Sequence, residues 1–372
     1  MNPSSKPSSC LGLPDYGLTN ARTILALVAV LISAATIPAK AVDISGAGAS
    51  FPYPLYAKWA EAFSKVSGKT INYQSIGSGG GIKQIKAHTV TFGASDRPLS
   101  PKELADGDLV QWPMVLGAVV PVVNIDGIST NALTLDGDTL AKIYLGEIKT
   151  WDDERIKKLN PEAKLPSAAI VVVHQSDGSS TTLNFTNYLS KVSTDWKSRI
   201  GSSSYVKWPV GIGAKGCEGV ASDVQQTKNS IGYVEIAYAN QNKLSALMLM
   251  NRDGKVVAAD IETVQAAATS ADWEHAEDFD LMIIDRPGAK AWPISASSYI
   301  LMPKRAIDAA AATGALQFFS WAYAKGDSIA TELDYVPMPE RLKKLALLRL
   351  TSIKGPNSEV LCRWPQGCCP DC

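Results

Sequence analysis

Histidine is scarce in this chain: His88, His174 and His275 are the only three among 372 residues. None stands in a zinc-like cluster with cysteines or carboxylates. No H-E-x-x-H pair and no G-x-S-x-G turn occurs, and the run from Gly77 to Lys83 lacks the Gly-Lys-Ser/Thr ending of a P-loop. A hydrolase using Asp96 or Ser179 as nucleophile would need an activating base or a metal, so an enzyme is the disfavoured reading. There is no basic excess either. Lys plus Arg and Asp plus Glu both number 36, which speaks against a nucleic-acid partner. Cysteine is nearly absent from the body, where Cys217 stands alone between Val42 and Ser358. The core must therefore form without disulfides. Cys362, Cys368, Cys369 and Cys372 crowd the end. Cys369-Pro370-Asp371-Cys372 has zinc-like spacing without a second half, so a disordered tail or an adventitious disulfide is expected there. No metal and no cofactor is expected.

Long apolar runs are also lacking, with one exception. Residues 23–37 are apolar, preceded by Arg22 and followed by Ala39-Lys40-Ala41. The run is shorter than the roughly 20 residues of a membrane span and ends in an A-x-A pattern, so it reads as a signal peptide cut before Val42. The Pro-, Ser- and Gly-rich first twenty residues look like an upstream extension. Cys10 precedes the apolar run and is no lipidation site. Cleavage removes Lys6, Arg22, Lys40 and Asp15, leaving a mature net charge of about −2. A soluble periplasmic or secreted protein is expected.

What the chain does have is a recurring kind of turn. Ala169-Ile170-Val171-Val172-Val173 reads as a buried strand, then Ser176-Asp177-Gly178-Ser179-Ser180-Thr181-Thr182 leads into a helical pattern from Leu183 to Leu189. Ser45-Gly46-Ala47-Gly48-Ala49-Ser50-Phe51 precedes a helix over 55–66 with Trp59 and Phe63 on one face. Strand 70–74 enters Gly77-Ser78-Gly79-Gly80-Gly81 and a third helix. Each turn alone is explained by ordinary N-capping. Three together favour a shared anion site, because the first N–H groups of a helix lack partners and its dipole is positive there. A short strand ends at Asp96, residues 115–125 form a strand buried on both faces, and residues 306–323 form a helix. Alternating strands and helices predict α/β architecture with largely parallel sheets. In such sheets ligands bind beyond the carboxyl ends of the strands, where all three turns lie.

Four stretches together resemble the periplasmic phosphate-binding protein family of ABC-type phosphate importers: Ser45-Gly46-Ala47-Gly48-Ala49-Ser50-Phe51-Pro52, Gly77-Ser78-Gly79-Gly80-Gly81, Phe92-Gly93-Ala94-Ser95-Asp96 and Asp177-Gly178-Ser179. Ile143-Tyr144-Leu145-Gly146-Glu147-Ile148, Trp151-Asp152-Asp153, Val206-Lys207-Trp208-Pro209 and Ile231-Gly232-Tyr233-Val234-Glu235 extend the resemblance over residues 42–354. It implies a type II binding protein: two α/β lobes joined by a double-crossover hinge, with lobe I over 42–118 and 296–354 and lobe II over 119–295; residues 355–372 lie beyond the resemblance and are expected to form an unstructured tail. It further implies a non-catalytic, monomeric clamp that delivers inorganic phosphate to a membrane permease and its ATPase. Carried over by position, Ser50, Phe51 and Ser78 donate from lobe I, Asp96 accepts, and Ser179, Ser180 and Thr181 donate from lobe II. An acceptor carboxylate suits an anion that still carries a proton, as phosphate does; an unmatched buried acceptor costs roughly 1–3 kcal/mol, which would exclude sulfate.

The pattern is broken in one place. The family has an arginine two residues before the Asp177 position, paired with that aspartate, and here Gln175 stands there; Ser180 replaces a glycine. An amide offers neutral hydrogen bonds in place of a charged fork, so Gln175 and Asp177 make a weakened contact. His174 is a poor substitute, because adjacent strand residues face opposite ways. A clamp for arsenate, sulfate or molybdate, or a binding-weakened paralogue, is the alternative reading.

Overall fold

The computed structural model describes residues 44–362. The expected export segment and the Cys369–Cys372 spacing lie outside these residues. The elements used below are β1 (Ile44–Gly48), α1 (Tyr53–Ser67), β2 (Ile71–Ser75), α2 (Ser78–Lys86), β3 (Phe92–Ser95), α3 (Pro101–Asp106), β4 (Leu109–Asn124), β5 (Val171–Gln175), α4 (Ser180–Val192), β6 (Ile212–Ala214), α5 (Gly216–Gln226), β7 (Ser230–Glu235), β8 (Ser295–Pro303), α6 (Ala309–Lys325) and α7 (Glu340–Leu350).

Two α/β lobes with mixed sheets share one strand path, β2-β1-β3-β8-β4-β7-β5-β6. The expected parallel pairing holds towards the outside of each lobe: β1 with β2 and β3, and β5 with β6 and β7. It fails in the middle, where β8 runs antiparallel to β3 and β4, and β4 antiparallel to β7. The reason is the double crossover. The chain leaves the first lobe along β4 and returns along β8 beside it, so the two must point in opposite directions. β4 pairs with β8 up to Ala118 and with β7 from Val119 onward, and Val119 N–H donates to Ile294 O at the junction.

β4 is also longer than the apolar run alone suggests, starting at Leu109. Pro113 argues against a central strand because it cannot donate to a ladder. The structure accommodates it at a bulge, where the register with β8 shifts between Ser298 and Tyr299. Tyr323 OH donates to the Pro113 carbonyl. Fifteen of the strand's 16 residues are buried, as a strand covered on both faces requires.

The helices cover the sheet through their apolar stripes. On α1, Leu55, Tyr56, Trp59 and Phe63 face inward, and each such burial contributes about 1.5–3 kcal/mol. Phe319 of α6 meets Phe92 and Trp112 edge-on at 4.9 and 5.7 Å. In the other lobe Phe185 stacks on Tyr233 at 4.3 Å. The final helix, α7, buries Leu342, Ala346, Leu347 and Leu350. Part of the tail expected to be unstructured is not: Lys354 bridges both Arg305 and Val360, Arg305 donates to Ser358 Oγ at 2.7 Å, and Cys362 is buried and disulfide-bonded. Among the described residues no helix is long and apolar enough to cross a membrane.

Candidate functional site

The turns after β1, β2, β3, β5 and β6 converge on one buried locus between the lobes. At the first, Tyr73 OH donates to Ala49 O, Tyr238 OH to Ser50 O and Tyr335 OH to Phe51 O, each at 2.6 Å. Three consecutive carbonyls are thus held by tyrosines whose burial pushes their pKa well above the usual value, so they stay neutral donors. Phe51 N–H is left without a partner among the described residues.

At the second turn Gly77 adopts φ +81° and the helix starts at Ser78. Ser78 Oγ accepts from Asp96 N–H at 3.2 Å and lies 3.4 Å from Asp96 Oδ2. Asp96 is 2% exposed and its Oδ1 has no hydrogen-bond partner. Burial drives its pKa well above the carboxylate range, with the nearby Asp177 adding to the rise. A buried acceptor of this kind is stable only opposite a donor.

The loop holding Asp96 is braced from the other side. Arg97 makes a two-pronged pair with Glu103 at 2.7 and 3.0 Å, and Glu103 closes a capping box with Ser100 at the start of α3. The guanidinium holds the Glu103 carboxyl down at about 2, below an unfolded value of about 4.3. Its stabilisation is therefore complete above about pH 4.5 and lost as pH falls towards 2. Because the Glu103 side chain is 37% exposed, screening limits the effect, and Glu103→Gln is expected to cost about 0.5–1 kcal/mol at neutral pH. Urea melts should show that difference vanishing near pH 2; a difference independent of pH would exclude the ion pair as its source.

From the second lobe, Ser179 caps α4 by accepting from Thr181 N–H at 3.1 Å. The capping explanation therefore holds at this turn, and the serine's own proton is still free to donate. Ser180 Oγ lies 3.4 Å from Ser95 Oγ, Asn184 donates to Asp96 O at 2.9 Å, and Gly79 N–H donates to Gly178 O at 2.9 Å. These bonds cross between the lobes, so the clamp is closed. Ser50, Ser78, Ser179, Ser180 and Thr181 are all buried.

Gln175 is buried and both ends of its amide are engaged inside the second lobe. Its Nε2 donates to Cys217 Sγ at 3.3 Å, and its Oε1 accepts from Thr182 at 3.1 Å. His174 points the other way, as the strand period requires, and stacks on Trp208 at 4.7 Å. Asp177 Oδ1 accepts from Gly216 N–H at 2.8 Å, while Oδ2 is buried without a partner. The Asp177 carboxylate is thus half-satisfied by backbone.

Cys217 is the residue that sequence reasoning missed. It opens α5, its N–H donates to Ser50 Oγ at 3.3 Å, and its thiol lies 3.8 Å from Thr181 Oγ1. Burial pushes the thiol up to about 12, so it acts as a neutral group. Its signal was Gly211-Ile212-Gly213-Ala214-Lys215-Gly216, a further glycine-rich turn at a strand end. The assembled site holds hydroxyl and N–H donors around the buried Asp96 Oδ1, with Asp177 Oδ2 a second buried acceptor without a partner behind it. Among the described residues no group of three or more His, Cys, Asp or Glu side chains is placed to hold a metal ion.

A model of the PBP superfamily domain matches residues 33–325. The chain is 53% identical over 305 residues to the phosphate-binding protein PstS of Xylella fastidiosa strain Temecula1, covering 82% of this chain and 84% of that one. It is 48% identical over 336 residues to PstS of Pasteurella multocida, covering 90% and 98%. Among solved structures, the phosphate-binding protein of Stenotrophomonas maltophilia superposes with a TM-score of 0.63 at 19% identity, covering 82% and 93%; this supports the fold alone. The lobes, the closed cleft and these relatives agree: the chain belongs to the PstS family of the PBP superfamily, the solute-binding components of ABC-type phosphate importers.

Proposed function

We propose that this protein captures inorganic phosphate between its lobes, outside the cytoplasm, and hands it to the permease and ATPase subunits of the importer. It is a carrier and performs no chemistry on its ligand. The observation that carries the reading is Asp96 Oδ1, a buried acceptor without a partner beside the hydroxyls and helix N-termini of both lobes. A tetrahedral anion that keeps a proton satisfies both halves of that arrangement; arsenate shares this chemistry. Ser50, Phe51, Ser78, Ser179, Ser180 and Thr181 would donate, with Gln175 and Asp177 contributing only indirectly.

The lobe boundaries fit a division at 118/119 and 295/296, supported by the change of partner along β4. Export through residues 1–41 and a monomeric state complete the proposal. Calorimetric titration of ligand-stripped protein with phosphate and then sulfate tests it. Phosphate heat without sulfate heat is expected, and silence for both would overturn it.

Closure makes a further prediction. Gly77 has positive φ, and a methyl there would collide with Asp177 Oδ2 across the cleft. Gly77→Ala is expected to weaken phosphate binding about tenfold, since such strain costs roughly 1–3 kcal/mol. An unchanged affinity would mean that this turn is not pressed between the lobes.

A further inference from the structure

We infer that the closed site takes phosphate as the monoanion, so that binding above neutral pH draws one proton from solution. The inference rests on the phosphate reading and specifies the ionic form. It follows from the charges gathered around the site, Asp96 within it and Asp177 behind it. Asp96 and Asp177 each present a buried carboxylate oxygen without a partner, and among the described residues no cation pairs with either. Gln175 is neutral and its amide is already engaged with Cys217 and Thr182. Arg97 follows Asp96 directly but is turned away to Glu103 and the Pro98 carbonyl. Tyr56 of α1, Tyr73 of β2 and Cys217 of α5 also feel Asp96, and all three are held neutral by burial. Lys215 is exposed at the cleft mouth, beside Glu218, and makes no ion pair among the described residues. Glu218 itself accepts from Ser75 at 2.5 Å.

Among the described residues, the partial charges of helix N-termini, about half a unit each, are what opposes the carboxylates inside the buried site. A phosphate dianion would add two more negative charges to a buried site that holds Asp96 and Asp177. One further proton on the ligand, donated in a hydrogen bond to Asp96 Oδ1, relieves this. The proton balance is then simple. Below the second phosphate pKa, which is about 6 for a phosphate monoester and somewhat higher for inorganic phosphate, the free ligand already brings both protons. Above it, monohydrogen phosphate and an open, solvated Asp96 carboxylate hold one proton between them, and the closed complex holds two. The second comes from buffer.

The test is titration of the ligand-stripped full chain with inorganic phosphate at about pH 5.5, 7 and 8.5, each in two buffers of different ionisation enthalpy. Proton uptake is expected to rise from near zero to near one, and Kd to weaken about tenfold per pH unit above the ligand's second pKa. Phosphate binding with no uptake at the highest pH and a flat Kd would overturn this inference while leaving the phosphate reading intact. No phosphate binding at any of the three pH values would overturn the phosphate reading, and this inference with it. Gln175→Arg should abolish the uptake by supplying the missing cation. Retained uptake in that variant would overturn the assignment of the effect to position 175.

Discussion

Asp96→Asn should raise sulfate affinity by about a hundredfold or more at neutral pH, while phosphate weakens by about tenfold. Sulfate brings no proton, so closing on it requires Asp96 to take one up. From an open-state value of about 3.9, that costs about three pKa units at pH 7, or roughly 4 kcal/mol. Asparagine removes the cost, because its amide can donate to a sulfate oxygen and still accept from a phosphate hydroxyl. Phosphate loses only the difference between a charged and a neutral acceptor. The measurement is a pair of calorimetric titrations, wild type against variant, with both anions. Unchanged selectivity would remove Asp96 from the discrimination, despite its buried, unpartnered Oδ1. The same reasoning gives the wild type a pH dependence: sulfate should become a competitor as pH falls towards 4, where the proton is nearly free of cost.

Gln175→Arg should tighten phosphate by about 10- to 100-fold, the range given by hydrogen bonds to charged groups at about 1.5–3 kcal/mol. The guanidinium would have Asp177 Oδ2 as a ready partner, since that oxygen is buried and unpaired. The same change should lower the melting temperature. Gln175 is only 2% exposed, a larger side chain must displace its neighbours at a cost of about 1–3 kcal/mol, and Cys217 loses its amide donor. Thr182 keeps its 2.7 Å bond to Tyr233 OH, so the network is not dismantled. Tighter binding combined with lower stability is the expected signature. A variant that melts normally and binds no tighter would mean that position 175 does not reach the ligand.

The local features were legible because they depend on neighbours in sequence. Ser179 caps α4, Ser78 opens α2, and the opposite facing of His174 and Gln175 follows from a strand period of two. Asp96 was legible by itself only as a carboxylate ending a strand; its role as acceptor came from the family resemblance. Chemical type and chain order therefore determined the turns and their candidate donors.

Tertiary structure decided the rest, because the partners lie far away along the chain. Cys217 reaches Ser50 across 167 positions, Tyr238 reaches it across 188, and Tyr335 reaches Phe51 across 284. No periodicity encodes those meetings. The antiparallel centre of the sheet arises only because β4 and β8 pass the hinge side by side, and the extension of β4 through Pro113 depends on a bulge against β8. The missing arginine at position 175 is visible in the sequence, but that Arg97 leaves the site without a cation is a tertiary fact. Arg97 sits next to Asp96 in sequence, yet the fold gives its guanidinium to Glu103, because a partly exposed two-pronged pair avoids much of the desolvation that burying the charge would cost.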